Sequence, residues 1–279
     1  MPNMKRCFFV WMILYLWPTA PPAAHGGTLV ARWDFDNAGN LGLDTSGFGN
    51  HATTLAGVTQ VAGAFPGSGA GFFDNAASTF TRSPMAGYDG TGGFTLAAWF
   101  RLDPTATPWD GIISQDDGAC CQNRILVSPG FYPMINAHEH NDQHLNSVFL
   151  STNQWYHIAM AVEAGGVAHV YLDGVEMVDS PRFLPPLTSS ATFNTYLGKG
   201  EAGTAHPFKG ALDDVRVYEG ALTAAEVRDV LIRIPEPSSL ILSLLVLTGL
   251  AVTLLRRQGR RGILRRGGCI GANRTAAAL

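Results

Sequence analysis

The chain has 279 residues, 46% hydrophobic and 15% charged, with 32 glycines and 16 prolines. Enough apolar residues are present to bury a core, which excludes wholesale disorder, and so much glycine without a three-residue period excludes both a helical bundle and collagen. The formal charge of −3 averages unlike parts: residues 27–236 carry all 22 acidic residues against 10 basic ones, while the flanks hold the other nine basic residues and no acid. So acidic a body lacks the basic face that nucleic acid requires, and basic ends around it point to a membrane topology instead.

Residues 1–26 read as a secretory signal peptide. Lys5 and Arg6 precede the apolar run Cys7–Trp17, and small residues follow, with cleavage after Ala24 or Gly26. The run is 11 residues, short of the ~20 a helix needs to cross a bilayer.

Residues 27–233 read as one β-rich domain. Short β-prone runs (Leu29–Phe35, Phe94–Phe100, Gly111–Ser114, Trp155–Val162, Val167–Leu172) are separated by Gly, Asp, Asn and Pro clusters. In the second run Phe94, Leu96, Ala98 and Phe100 share one face, and Thr95, Ala97 and Trp99 share the other. Neither face is strongly polar, which predicts a strand inside a sandwich. Asp173-Gly174 suits a two-residue type I′ hairpin turn, since glycine takes positive φ at little cost. One helix is predicted: Thr223-Ala224-Ala225-Glu226 is a capping box, with Val227, Val230 and Leu231 then at helical spacing to pack on a sheet. The domain's only cysteines are Cys120 and Cys121, which are a strained vicinal disulfide, a pair of thiols or a link to another chain, and cannot staple distant segments. About a dozen strands in this length make an all-β sandwich of jelly-roll size.

The polar segment His138-Glu139-His140-Asn141-Asp142-Gln143-His144 holds three histidines and two acids, a set that can ligate Zn²⁺ or Cu²⁺ yet reads as a solvated loop. With Gln115, Asp116 and Asp117 of a neighbouring loop, His138 and His140 would line a glycan site on the rim of a sheet, where amide and carboxylate groups bond hydroxyls and Tyr132 or Trp109 stacks on a ring. His157 alternates with Trp155 and Ala159 and reads as a strand residue of the core rather than a base. Catalysis on a jelly roll needs carboxylates on one strand face, but Glu139 and Asp142, three apart, fall on opposite faces. No Gly-x-Ser-x-Gly elbow occurs, and the glycine-rich stretch Gly63–Gly71 lacks the lysine of a phosphate loop. The chain is not expected to be an enzyme.

A series of motifs carries a family resemblance: Trp33-Asp-Phe-Asp36, Asp44-Thr-Ser-Gly-Phe-Gly-Asn-His51, Gly92-Gly-Phe-Thr-Leu-Ala-Ala-Trp99, Gln154-Trp-Tyr-His-Ile-Ala159, Val170-Tyr-Leu-Asp-Gly174 and Gly210-Ala-Leu-Asp-Asp-Val-Arg-Val-Tyr218. In this order they resemble a LamG-like domain of the concanavalin A-like lectin/glucanase superfamily. The resemblance implies a jelly roll of two curved antiparallel sheets, glycan or protein binding and, often, a structural Ca²⁺. Asp36, Asp213 and Asp214, from first and last strands that the family sets side by side, would supply the calcium ligands.

Beyond the domain, Pro235-Glu236-Pro237 precedes the 18 uncharged residues Ser238–Leu255, roughly 27 Å as a helix, and then an arginine cluster from Arg256 to Arg266. Such a cluster stays cytoplasmic, so the acidic domain faces outward. Residues 234–261 resemble the PEP-CTERM sorting signal, which implies an exosortase-type sorting enzyme as partner and a membrane-spanning helix over 238–255. Residues 262–279, a basic tail, continue past the point where that family stops. The whole describes an exported, noncatalytic protein of a Gram-negative bacterium. It would be anchored in the inner membrane during sorting, then sit at the cell surface or in the matrix and bind extracellular polysaccharide or a surface protein. The alternatives are a structural surface protein without a discrete ligand and a polysaccharide hydrolase.

Overall fold

The computed structural model describes residues 26–232 apart from 75–77, 119–122, 137–141, 186–187 and 202–205. The signal peptide, Cys120 and Cys121, His138 and His140, Pro235-Glu236-Pro237 and the membrane-spanning segment lie outside the described residues.

Two antiparallel sheets face each other. The first has the order β13 (Val175–Glu176), β12 (Val167–Leu172), β11 (Trp155–Glu163), β6 (Gly93–Leu102), β16 (Lys209–Glu219), β4 (Gly69–Asp74) and β3 (Thr59–Ala62), with β1 (Thr28–Trp33) also on β16 and β14 (Arg182–Phe183) also on β12. The second runs β10 (Gln143–His144), β9 (Pro133–Asn136), β8 (Asn123–Val127), β7 (Gly111–Asp116), β15 (Asn194–Leu197), β5 (Thr79–Arg82) and β2 (Thr54–Ala56). The chain alternates between sheets, so β1, the first strand, pairs with β16, the last.

Strand alternation explains the apolar character of both faces of β6. Phe94, Leu96, Ala98, Phe100 and Leu102 enter the core between the sheets. On the outer face Ala97 packs with Ala159, Tyr171 and Tyr218 beneath α1 (Ala224–Leu231), whose Val227 and Val230 seal it. The core is aromatic: Trp33 meets Phe80 edge-on at 5.3 Å, Phe80 meets Phe35 at 6.0 Å, and Phe35 meets Phe73 at 6.3 Å. T-shaped pairs of this kind add about 0.5–1.5 kcal/mol each beyond burial.

The predicted punctuation is present. Asp173 (φ 49°) and Gly174 (φ 75°) form the hairpin between β12 and β13, as the type I′ turn requires. The Thr223 hydroxyl accepts from the Glu226 amide, and the Glu226 carboxylate accepts from the Thr223 amide at 2.7 Å. The same carboxylate accepts from Gly26 N–H, fastening the first described residue to the helix.

Candidate functional site

The outer face of the second sheet carries a polar row. Register places Tyr196 of β15 beside Ser114 of β7, Ser114 beside Arg124 of β8, and Arg124 beside Asn136 of β9. Their neighbours in sequence, Ile113, Ile125, Ile135 and Leu197, point into the core, so the period of two turns all four polar residues outward.

Asp142, Lys199 and Glu201, from the connections between strands, lie against Ser114, Arg124 and Asn136, which are buried. Arg124 is 3% exposed and Asn136 fully buried. Asp142, just before β10, accepts on one oxygen from both Arg124 Nη2 (2.8 Å) and Asn136 Nδ2 (3.0 Å). Burial works against the Asp142 charge, but the hydrogen bond and charge of Arg124 outweigh it and hold the carboxyl below its ordinary range. Glu201 approaches Arg124 Nη1 at 3.7 Å from the β15–β16 connection, and the Ser114 hydroxyl donates to the Lys199 carbonyl at 3.0 Å. Arg124 Nε and Nη1 and Asn136 Oδ1 make no hydrogen bond, although all three are shielded from solvent. Each such buried polar group left unmade costs about 1–3 kcal/mol.

Along the same face, Leu126 pairs with Met134, and Met134 with His144. Trp109 closes this end, 6.3 Å from the His144 ring and 5.6 Å from His206. Its positive φ of 75° is held by its amide, which donates to the Val127 carbonyl at 2.8 Å. Beyond the β8–β9 hairpin, Tyr132 and Phe131 pack against Phe149, which is 57% exposed and lines a groove of about 250 Å³ with Leu150, Ser151 and Thr152.

The residues expected from sequence fall in different places. Gln115 points inward, not to a rim: its amide oxygen accepts from Tyr88 Oη at 2.7 Å and its nitrogen donates to Thr195 Oγ1 at 3.2 Å. It shares the parity of core residue Ile113 because β7 runs on to Asp116 rather than stopping at Ser114. Asp116 is buried, caps its own turn by accepting from Gly118 N–H at 2.8 Å, and shares the outward parity of Ser114. Asp117 is exposed, and Tyr132 is half-buried beside Phe149 rather than over the polar row.

Asp36, Asp213 and Asp214 do not fit a calcium ion. Asp36 accepts from Gly69 N–H at 2.7 Å, and one Asp213 oxygen accepts from Ala64 N–H (2.9 Å) and the Ser68 hydroxyl (3.0 Å), so both pin the β3–β4 turn. Asp214, at a bulge with φ 47°, is taken by Arg32 and Arg216, each at 2.7 Å. Asp36 Oδ1, Asp213 Oδ2 and both oxygens of Asp214 serve N–H and O–H donors at separate points, whereas Ca²⁺ wants carboxylate oxygens turned on one centre. Among the described residues, no group of three or more His, Cys, Asp or Glu is placed to hold a metal. His157 is 1% exposed, and burial together with the Arg216 charge pushes its pKa down to about 3, which keeps it neutral.

Sequence reasoning passed over Arg124, Asn136 and Glu201. The one available signal was an arginine inside the apolar run Arg124-Ile-Leu-Val127, where a charge needs a partner.

A family model described as the concanavalin A-like lectin/glucanases superfamily matches residues 74–228. No curated protein matches the chain. Among solved structures, it resembles domain 4 of AbnA, an extracellular arabinanase of Geobacillus stearothermophilus in complex with arabinotriose, at 23% identity and a TM-score of 0.56, over 74% of this chain and 100% of that one. It also resembles the binding domain of botulinum neurotoxin serotype G (16% identity, TM-score 0.54) over 73% of this chain and 50% of that one. The binding domain of botulinum neurotoxin DC in complex with rat synaptotagmin II is similar at 12% identity and a TM-score of 0.52, over 73% of this chain and 51% of that one. The chain therefore spans the whole arabinanase domain but about half the length of the toxin domains, and at these identities the likeness is one of fold.

Proposed function

Because the chain belongs to the concanavalin A-like lectin/glucanases superfamily, we propose that it is an exported, noncatalytic bacterial surface protein whose β-sandwich binds an extracellular glycan. The observation that carries this reading is the outer face of the second sheet, where the partly exposed rings of Trp109, His144 and His206 gather beside a row of polar side chains. Glycans are bound by just this pairing of directional polar groups with ring faces. The superfamily fold serves glycan and protein binding alike; the neighbours include a domain in complex with arabinotriose and one in complex with synaptotagmin.

A noncatalytic role is favoured by the charge state of Asp142, the carboxylate that pairs with Arg124 on that face. A glycoside hydrolase needs an acid kept protonated near neutral pH, whereas Arg124 holds Asp142 below its ordinary range. Export is supported by the signal-like residues 1–26, and retention by the Pro235-Glu236-Pro237 tripeptide with the uncharged span and arginines behind it, a layout that calls for an exosortase-type partner.

The test is a glycan array probed with the purified full-length protein beside the double variant Trp109→Ala/His144→Ala. Binding by the parent and not by the folded variant is expected. A parent that binds no glycan on a broad array would refute the reading and leave the protein-binding alternative.

A further inference from the structure

Resting on the glycan reading, we infer that the groove beside Phe149 is a second sugar subsite, so that the protein holds a stretch of several linked sugars rather than a single one. The groove, of about 250 Å³, opens to solvent and is lined by Phe131, Phe149, Leu150, Ser151 and Thr152. Phe149 is 57% exposed, yet edge-on contacts with Phe131 at 6.2 Å and Tyr132 at 6.0 Å hold its ring from two sides. The Leu150 amide donates to the Phe131 carbonyl at 2.8 Å and ties the walls of the groove together. A large ring held in place and left uncovered is a ready platform, because little side-chain freedom is lost when a ligand lies on it.

The chemistry of the groove fits one kind of occupant. None of its lining residues is charged. The hydroxyls of Ser151 and Thr152, and that of Tyr132 beside them, have no hydrogen-bond partner among the described residues. A sugar ring meets both features, with C–H groups against Phe149 and hydroxyls that donate to and accept from those of the protein. A purely aliphatic ligand would leave the protein hydroxyls unused, and an anion would find no cation there. Strand register sets the groove beside the Trp109 cluster. Met134 pairs with His144, whose ring meets Trp109 at 6.3 Å. The β8–β9 ladder continues past Pro133, with the Ser128 amide donating to the Tyr132 carbonyl at 2.8 Å. Tyr132 therefore shares the outward parity of Met134, two residues or ~7 Å further along, and there it meets Phe149. The Trp109 and Phe149 rings thus stand at successive levels of one sheet. A single sugar covers one level, and a chain of linked sugars contacts both.

The experiment uses the full-length protein. Affinity electrophoresis through arabinan, xylan and mixed-linkage β-glucan identifies a polymer that retards it. The disaccharide and hexasaccharide of that polymer are then titrated calorimetrically into the parent, Phe149→Ala and Ser151→Ala/Thr152→Val. The parent should bind the hexasaccharide about tenfold or more tightly than the disaccharide. Phe149→Ala should lose that advantage and leave disaccharide binding unchanged, and the hydroxyl variant should lose part of it. Equal affinity of the parent for the two sugars would overturn the second subsite while the glycan reading stands. So would a folded Phe149→Ala protein with undiminished hexasaccharide binding, or with an equal loss for both sugars. If Phe149→Ala fails to fold, the hydroxyl variant decides, and hexasaccharide binding equal to the parent's refutes the subsite. Retardation by none of the polymers would overturn the glycan reading itself and this inference with it.

Discussion

Replacing Asp110 by asparagine should stabilise the sandwich at neutral pH and not in acid. Asp110 is 1% exposed where the chain enters β7, and its carboxylate accepts from the Lys209 amide at 3.0 Å and, weakly, from the Thr107 hydroxyl at 3.4 Å. It thereby links the second sheet to the start of β16 in the first. Burial dominates these bonds and raises its pKa from 3.8 to about 6. An acid raised in the folded state costs nothing below about pH 4, where folded and unfolded chains are both protonated. The cost grows as pH rises from about 4 to about 6, because the unfolded chain releases its proton first, and it is complete above that. Moving the carboxyl from 3.8 to about 6, at ~1.4 kcal/mol per pH unit, amounts to about 3 kcal/mol. Asparagine stays neutral and can still accept from Lys209; losing the charge-assisted part of that bond returns about 1 kcal/mol, leaving a net gain of ~2 kcal/mol. At 2–4 °C per kcal/mol for a domain of this size, Tm should rise by about 4–8 °C near pH 8 and hardly change near pH 4. The assay is thermal unfolding of both proteins across that pH range. Parallel pH profiles, or a variant less stable throughout, would refute the assignment of the strain to a buried charge.

Asp44 is the opposite case: burial opposes its charge, but amides of Arg32 (2.9 Å), Ser46 (2.9 Å) and Asn50 (2.7 Å) and the Ser46 hydroxyl (2.8 Å) hold its pKa below 3.8. Asp44→Asn turns an NH₂ toward two of those donors and should cost about 2–4 kcal/mol near pH 7, shrinking as pH falls through the carboxylate range, as urea unfolding at pH 7 and pH 3 would measure. Calcium should leave the melting temperature unchanged relative to chelator, since Asp36, Asp213 and Asp214 serve separate donors; a shift of several degrees would restore a calcium site. A reporter fused after Arg233 should be active only outside the cytoplasm, by alkaline phosphatase activity, and a cytoplasmically active fusion contradicts the export reading. Alanines at Pro235, Glu236 and Pro237 should make uncleaved protein accumulate on immunoblots if an exosortase-type enzyme acts there, whereas unaltered processing would make the segment a plain anchor.

Local chemistry was legible in the sequence alone. The capping box at Thr223 and Glu226 and the turn at Asp173 and Gly174 each depend on groups within four residues, so the residue types sufficed. The apolar alternation of Phe94–Phe100 likewise set a buried strand, though what covered its outer face, α1, was left to the fold. The motifs placed the chain among jelly rolls because such patterns constrain many strands at once. The site was another matter. Arg124, Asn136, Asp142 and Glu201 gather from β8, β9 and two connections, with 77 positions between the arginine and the glutamate. Gln115 turned inward because β7 continued two residues beyond the predicted end, and a side chain's face in a strand follows from its parity with the core residues. Asp213 and Asp214 are adjacent in sequence, yet the bulge at Asp214 sends one to the β3–β4 turn and the other to two arginines. Sequence determines which residues prefer an extended backbone and which can turn, because those energies are local. Only the tertiary structure decided which polar groups meet, because strand register and face are fixed by burying the whole apolar set at once.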